Sequence, residues 1–213
     1  MNQYLKLIWA YLLIQIGGSG LVFSLLNQLS IPESTKIMLA NFLLYFILII
    51  VSVSFLKKDL KEDAKSIKFG YRFVLNICIG VVLLFVTNLI SQIILLNVTN
   101  GSVDSVNQQN AEWVLETHPL MMSMMSIFLA PIAEELVFRL SIMKLIPWRL
   151  LSIMVSSLCF GLVHVMAGDV IHFPTYAISG LVLAIAYARS NNIWYPIVVH
   201  IINNLIAVMI QFL

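Results

Sequence analysis

Long apolar runs divide the 213-residue chain, and they constrain its fold more than any other feature. A hydrocarbon core about 30 Å thick is crossed by roughly 20 apolar residues in an α-helix. We place about seven such spans on that measure, over residues 5–26, 37–55, 71–96, 119–146, 150–166, 171–188 and 193–212. Hydrophobic residues make up 61% of the chain and charged residues 10%, against roughly 25% charged in a soluble domain. The sequence therefore predicts an all-α, polytopic transmembrane bundle that forms one membrane-embedded domain over residues 1–213.

The distribution of charge predicts how this bundle is oriented. The most charged stretch, residues 57–72, is rich in lysine and should be cytoplasmic by the positive-inside rule. The polar segment over residues 97–118 contains no Lys or Arg, which fits the opposite side. We therefore expect a cytoplasmic N-terminus. The lipid bilayer is the expected environment and no nucleic-acid partner is expected. Chain length and the lack of an organellar targeting feature suggest a bacterial cytoplasmic membrane.

The fourth predicted span carries three ionisable residues within six positions, Glu134, Glu135 and Arg139. A charge at the centre of a membrane helix costs roughly 2.5–3.5 kcal/mol on insertion scales, so it needs a partner or a purpose. Glu135 and Arg139 are four residues apart and can neutralise each other on one helix face. Glu134 is turned about 100° away and has no cation three or four residues later. Its carboxylate is therefore a candidate for chemistry.

Two later spans also carry polar residues that could meet Glu134. His164 lies four residues after Phe160 in the fifth span, and His200 lies four residues before Asn204 in the seventh. Any one of these residues is equally well explained as a hydrogen bond between helices. As a set they are costly to desolvate unless they share a polar cavity. By the span limits, however, His164 and His200 lie at different depths, so a shared site requires tilted helices or shifted boundaries.

Two chemistries suit this set of side chains, and the residues alone leave both open. In one, Glu134 is a general base that activates water with the help of His164, while His200 or Asn204 stabilises an oxyanion. In the other, Glu134, His164 and His200 bind a metal such as zinc, which activates the water. A compact HExxH helix and a GxSxG elbow are both missing from the sequence. Cys78 and Cys159 lie in apolar runs and suggest packing residues.

The three polar positions match the motifs of a known family. Glu134-Glu135-x-x-x-Arg139, Phe160-x-x-x-His164 and His200-x-x-x-Asn204 occur in the order EExxxR, FxxxH and HxxxN. In these motifs the chain resembles the CPBP family, also called Abi, of CAAX-protease-like and bacteriocin-processing intramembrane endopeptidases. The resemblance implies Glu134 as the catalytic carboxylate, His164 as its partner, His200 and Asn204 as the oxyanion pair, and Glu135, Arg139 and Phe160 as supporting residues. It leaves open whether zinc or no cofactor is used.

The resemblance covers residues 120–207, within the motif-carrying helices of residues 119–213. It implies a peptide or membrane-protein substrate, such as a leader, a pheromone or a bacteriocin. Residues 1–96 carry no motif of the family, although the small residues over 17–20 are expected to allow a close helix contact. The main alternative is a bacteriocin-immunity or peptide-binding membrane protein without turnover. A proton-coupled transporter is the second alternative, because intramembrane Glu and His also mark ion paths. The oligomeric state has no signature in the sequence.

Overall fold

The protein is described by a computed structural model over residues 2–99, 105–166, 168 and 170–212. This part of the chain is helical and contains no strand. The helices are α1 (Gln3–Leu26), α2 (Glu33–Ser66), α3 (Tyr71–Val98), α4 (Val106–Thr117), α5 (Pro119–Leu145), α6 (Arg149–His164), α7 (Phe173–Ser190) and α8 (Trp194–Gln211). The predicted all-α transmembrane architecture is confirmed. Within the predicted polar segment, residues 100–104 lie outside the described part.

Within the described residues, six helical segments are long and apolar enough to cross a membrane: α1, α2, α3, α5, α8, and α7 together with the short 3-10 turn before it. The seventh apolar helix, α6, has 16 residues and falls below the length of a full crossing. The sequence predicted about seven spans, and these correspond to six full-length spans and one short helix in the described residues. The protein is an integral, multi-pass membrane protein.

Helix α2 is longer than the apolar run that predicts it. The expected span ended near residue 55, whereas the helix continues through the lysine-rich stretch to Ser66. Two aspartates of this extension fasten it to other helices. Asp59 accepts a hydrogen bond from the Tyr4 hydroxyl (3.0 Å) and forms an ion pair with Lys144 (2.5 Å). Asp63 accepts a hydrogen bond from the backbone N–H of Ile193 (2.9 Å). The extension therefore holds α1, α5 and the start of α8 at the same end of the bundle.

Helix α5 departs from regular α-helical geometry on both sides of the glutamates. It widens into π-helix at Met125–Leu129 and again at Leu136–Ile142. A π turn adds one residue per turn and is common at functional sites. Here the backbone carbonyl of Phe138 accepts the Ser156 hydroxyl of α6 at 2.7 Å. A side chain of the neighbouring helix thus supports the irregular backbone beside the glutamates.

Helices α6 and α7 approach each other closely at two glycines. A Cβ atom added at Gly161 would lie 2.9 Å from the Ala177 Cβ, and one at Gly180 would lie 3.1 Å from the Ser157 carbonyl oxygen. Small residues at helix interfaces allow such approach in membranes. By contrast, an added Cβ at Gly17 or Gly20 would meet nothing within 4 Å. Within the stretch over residues 17–20, the expected close contact is made at Gly18, where an added Cβ would lie 3.2 Å from the Leu44 side chain of α2. A further close contact joins α3 to α8, because a Cβ added at Gly80 would lie 2.8 Å from the Val199 side chain.

Candidate active site

The carboxylate of Glu134 lies at the centre of a group of polar side chains from four helices. It is 6% exposed, and α5 presents it just before the second π segment. Its Oε1 lies 4.0 Å from the His164 Nε2 of α6, and its Oε2 lies 3.9 Å from the His200 Nε2 of α8. The structure therefore brings these three residues to one depth. The span limits drawn from hydropathy had placed His164 and His200 at different depths. In the structure both imidazoles lie about 4 Å from the Glu134 carboxylate.

The orientation of His164 is set by the backbone of its own helix. Its Nδ1 lies 2.8 Å from the Phe160 carbonyl oxygen. A carbonyl oxygen only accepts, so Nδ1 carries a hydrogen and Nε2 is the nitrogen that faces Glu134. The neutral ring in this tautomer has a lone pair on Nε2. His164 can therefore accept a hydrogen bond from a water bound beside the Glu134 carboxylate.

His200 belongs to a buried chain of charged groups. Its Nδ1 lies 2.9 Å from Glu135 Oε1, and Glu135 Oε2 lies 3.1 Å from the Arg139 Nε. Glu135 and Arg139 are both fully buried. The expected ion pair is present, and Arg139 also donates to the Gly180 carbonyl at 3.3 Å. Glu135 therefore bridges His200 and Arg139, which the sequence did not indicate.

Aromatic rings hold the two histidines in place. Phe160 lies between the Arg139 guanidinium, 4.4 Å from its ring centre, and the His164 ring, 4.3 Å away. Tyr176 of α7 stacks on the other side of His164 at 4.7 Å. The supporting position predicted for Phe160 thus has a physical basis in a cation–π contact and ring packing. Tyr176 belongs to no motif and was missed.

Asn204 contacts the backbone of α5. Its side-chain amide donates to the Ser126 carbonyl at 2.9 Å, and its own oxygen accepts from Asn203 at 3.2 Å. In the π register of this segment the Ala130 N–H donates to Met125. The next donor in that register would be residue 131, which is proline and has no N–H. Asn204 replaces that missing donor, and its oxyanion role stays a prediction.

A tyrosine from the N-terminal helices also reaches the site. The Tyr45 hydroxyl of α2 donates to Glu134 Oε1 at 3.2 Å. Tyr11 of α1 packs its ring against Phe138 at 5.5 Å and lines the same cavity. Sequence reasoning placed no site residue in residues 1–96, because no motif marks them. The sequence feature that could have indicated Tyr45 is a tyrosine hydroxyl inside an apolar span, because such a hydroxyl needs a hydrogen-bond partner when it is buried.

These groups line a cavity of about 980 Å³. Its wall contains Tyr45, Glu134, His164, His200 and Asn204 together with apolar side chains of several helices. At the end opposite the lysine-rich extension of α2, the wall includes residues of α4 and the end of α8. The cavity is large enough for water and for a segment of peptide. This α4 end of the cavity lies on the side predicted to face away from the cytoplasm.

The donor atoms around Glu134 do not fit a tetrahedral metal as they are placed. Zinc holds nitrogen and oxygen ligands at about 2.0–2.1 Å, so neighbouring donors in a tetrahedral shell lie roughly 3.3 Å apart. The Glu134 oxygens lie 4.0 and 3.9 Å from the two imidazole nitrogens. Within the described residues, no group of three His, Cys, Asp or Glu side chains is arranged to hold a metal. A water that is hydrogen-bonded to both groups fits these separations.

Residues 116–206 match the family model described as type II CAAX prenyl endopeptidase Rce1-like. The match covers the C-terminal part of the chain. The match contains all three motifs and every member of the group around Glu134 except Tyr45. The predicted resemblance is thus confirmed at the level of the family.

Several curated proteins are similar to the chain. The putative membrane peptidase YdiL of Bacillus subtilis is 34% identical over 51% of this chain and 44% of that protein. The membrane-embedded CAAX protease MroQ of Staphylococcus aureus is 24% identical over 87% of this chain and 79% of that protein. An uncharacterized protein of Mycoplasma capricolum is 28% identical over 72% of this chain and 47% of that protein. The chain thus spans about half the length of two of these relatives. No solved structure matches the chain at a comparable significance.

Proposed function

We propose that the protein is an intramembrane endopeptidase that hydrolyses a peptide bond with a water activated by Glu134 and His164. The observation that carries the proposal is the placement of one buried carboxylate between two imidazole Nε2 atoms, at 4.0 and 3.9 Å, in a cavity of about 980 Å³. The match of residues 116–206 to the Rce1-like family model supports it. So do the names of two relatives, a putative membrane peptidase and a membrane-embedded CAAX protease.

In the proposed reaction, water lies between Glu134 and His164. One water hydrogen points to the carboxylate and the other to Nε2 of His164, which is free to accept because its Nδ1 is bound to the Phe160 carbonyl. Glu134 takes the first proton while the water oxygen attacks the scissile carbonyl carbon. The tetrahedral intermediate then collapses and the C–N bond breaks. Glu134 returns its proton to the leaving amine, and the other product is a carboxylic acid.

His200 is the proposed donor to the oxyanion. As an imidazolium it donates Nδ1–H to Glu135 and presents Nε2–H to the cavity. Two carboxylates, Glu134 and Glu135, are then balanced by Arg139 and His200, so this buried group has no net charge. A donor fixed in this way stabilises charge that develops in the transition state. Asn204 lies on the same face of α8 and adds an amide beside it.

The substrate is proposed to be a membrane-associated peptide, of the leader, pheromone or bacteriocin type. We also propose that the enzyme acts in a bacterial cytoplasmic membrane with its N-terminus in the cytoplasm. Because no metal is required by the donor geometry, the enzyme is proposed to be a glutamate protease. Treatment with EDTA or 1,10-phenanthroline is then expected to leave cleavage unchanged. Loss of cleavage with a chelator, restored by zinc, would overturn the metal-free version.

The test compares cells that lack the natural gene and carry the wild type, Glu134→Gln or Glu116→Gln. New peptide N-termini are identified by mass spectrometry, and the implicated sequences are synthesised and incubated with purified protein. Removal of the general base is expected to reduce cleavage about 100-fold or more. Glu116→Gln makes the same chemical change at an exposed residue of α4 and should cleave normally. If Glu134→Gln cleaves as fast as the wild type, the proposed function is wrong and non-catalytic peptide binding is favoured.

A further inference from the structure

The cavity around Glu134 has an uneven distribution of charge. Two carboxylates line it, Glu112 and Glu134, whereas no Lys or Arg from the described part of the chain does so. Its only side chains able to carry positive charge are three histidines, His164, His172 and His200, and two of these face Glu134. The proposed mechanism balances Glu134 within its own group. Glu112 is left as a negative charge that this chemistry does not use.

The carboxylate of Glu112 is held in place without being neutralised. Its Oε1 accepts the side-chain amide of Gln108 at 2.7 Å and that of Gln211 at 3.2 Å. Both donors are uncharged, and one comes from α4 while the other comes from the end of α8. No ion pair to Glu112 is present within the described residues. The site therefore orients a carboxylate and leaves its charge available to a partner.

Two long stretches of the sequence contain no cation, and Lys36, at the end of α2 that contacts His118, is not part of the cavity wall. No Lys or Arg occurs between Arg72 and Arg139, or between Arg149 and Arg189. The segments that join α3 to α5 and α6 to α7 fall in these intervals, and they contain the acidic residues Asp104, Glu112, Glu116 and Asp169. A cleft with charge of one sign and low-dielectric walls concentrates ligands of the opposite sign. A free carboxylate on a ligand would be repelled by Glu112, and no Lys or Arg of the described cavity wall would attract it.

We propose that the cavity takes a peptide whose apolar segment is flanked by a positively charged group, and that Glu112 binds that group. The apolar side chains of the wall suit the apolar segment, and the oriented carboxylate suits a Lys or Arg side chain or a peptide N-terminal ammonium. That the occupant is a peptide rests on the proposed endopeptidase function. The charge preference itself rests on Glu112 and the absence of fixed cations in the described wall.

Binding is measured with the Glu134→Gln protein, which removes the proposed base and leaves Glu112 as the carboxylate of the cavity. The protein is placed in phosphatidylcholine nanodiscs, because anionic lipids would attract a cationic peptide by themselves. One fluorescent apolar peptide is made with Lys, Gln or Glu flanking its apolar segment, each with a free or an acetylated N-terminus. Fluorescence anisotropy then gives the dissociation constant of each peptide.

The Lys peptide is expected to bind about 10-fold more tightly than the Gln peptide, because only the Lys peptide forms a charged hydrogen bond with the oriented carboxylate. Glu112→Gln in the same background should remove this preference and leave the affinity for the Gln peptide unchanged, which also checks the fold. Glu112→Asp should keep part of the preference, and the control Glu116→Gln should keep all of it. A loss of affinity on acetylation identifies the N-terminal ammonium as the bound cation, and no effect of acetylation identifies the side chain.

Equal affinities for the Lys, Gln and Glu peptides would overturn the proposal, and so would a Lys preference that survives Glu112→Gln. Neither result depends on turnover, because the protein used is the Glu134→Gln variant. Failure of the charge preference alongside normal cleavage by the wild type would therefore reject the role of Glu112 and leave the endopeptidase in place. A charge preference without cleavage would reject the endopeptidase alone.

Discussion

Tyr45 connects the N-terminal helices to the carboxylate on which the proposed chemistry depends. Its hydroxyl donates to Glu134 Oε1 at 3.2 Å, the same oxygen that faces His164. This bond fixes the plane of the carboxylate, so the other lone pairs are directed at the water. We expect Tyr45→Phe to lower kcat about 10-fold with little change in KM, because a bond to a charged group contributes about 1.5–3 kcal/mol.

The matched control is Tyr4→Phe. Tyr4 also donates to a carboxylate, Asp59 at 3.0 Å, but at the end of the bundle that carries the lysine-rich extension. It should leave kcat unchanged while costing some stability. Peptide cleavage and thermal unfolding are measured for both variants in the same detergent. Equal kcat values for Tyr45→Phe and the wild type would show that the tyrosine does not position the carboxylate.

At the scale of single residues, the sequence predicted which side chains meet and missed how they are joined. Residue types and helical spacing were enough to select Glu134, His164 and His200, because polar groups in apolar spans are few. The tautomer of His164 depends on the Phe160 carbonyl, and the bridge from His200 to Glu135 depends on helix packing. Neither contact can be predicted from the spacing of residues along the chain.

The irregular geometry of α5 gives Asn204 a role that can be tested at the level of the helix. Pro131 lacks the N–H that would pair with the Ser126 carbonyl, and Asn204 donates to that carbonyl at 2.9 Å. Asn204→Ala is expected to destabilise the protein by about 0.6–1.7 kcal/mol, the range measured for hydrogen bonds between membrane helices. In a Pro131→Ala background the backbone regains its donor, so the same change should cost less.

All four proteins of this double-mutant cycle are compared by thermal unfolding and by peptide cleavage. A smaller stability cost of Asn204→Ala in the Pro131→Ala background supports the capping role. Additive costs would show that the amide and the missing N–H do not compete for the Ser126 carbonyl. If cleavage stays low in the double variant although stability returns, Asn204 also acts on the substrate, as its predicted place in the oxyanion pair requires.

At the scale of elements, the lengths of the apolar runs predicted the ends of the membrane helices to within a few residues, except at the charged C-terminal end of α2. Helix α2 runs on to Ser66 because Asp59 and Asp63 have partners on other helices. The π segments of α5 were not predictable, since the residue types there suit an ordinary helix. The close contact expected in α1 is made at Gly18 against α2, whereas the contacts of Gly80 with α8 and of Gly161 and Gly180 between α6 and α7 were not predicted, because a glycine does not show which helix approaches it.

At the scale of the whole molecule, the N-terminal helices are part of the site although they carry no motif. Helix α2 supplies Tyr45 to the carboxylate and fastens α5 and α8 through Asp59 and Asp63. The N-terminal helices therefore contribute to the site, although none of the family's motifs lies in them. These contacts join α2 to the two helices that carry Glu134 and His200.

The orientation of the molecule decides which compartment the cavity opens to. The lysine-rich extension of α2 and the α4 end of the cavity lie at opposite ends of the bundle, and the positive-inside rule places the extension in the cytoplasm. In a background with Cys78→Ser and Cys159→Ser, Lys61→Cys and Glu116→Cys put single thiols at exposed positions on the two sides. We expect a membrane-impermeant maleimide to label the Glu116→Cys variant in intact spheroplasts, and the Lys61→Cys variant only after permeabilisation. The opposite pattern would place the cavity opening, and with it the peptide that Glu112 is proposed to bind, on the cytoplasmic side.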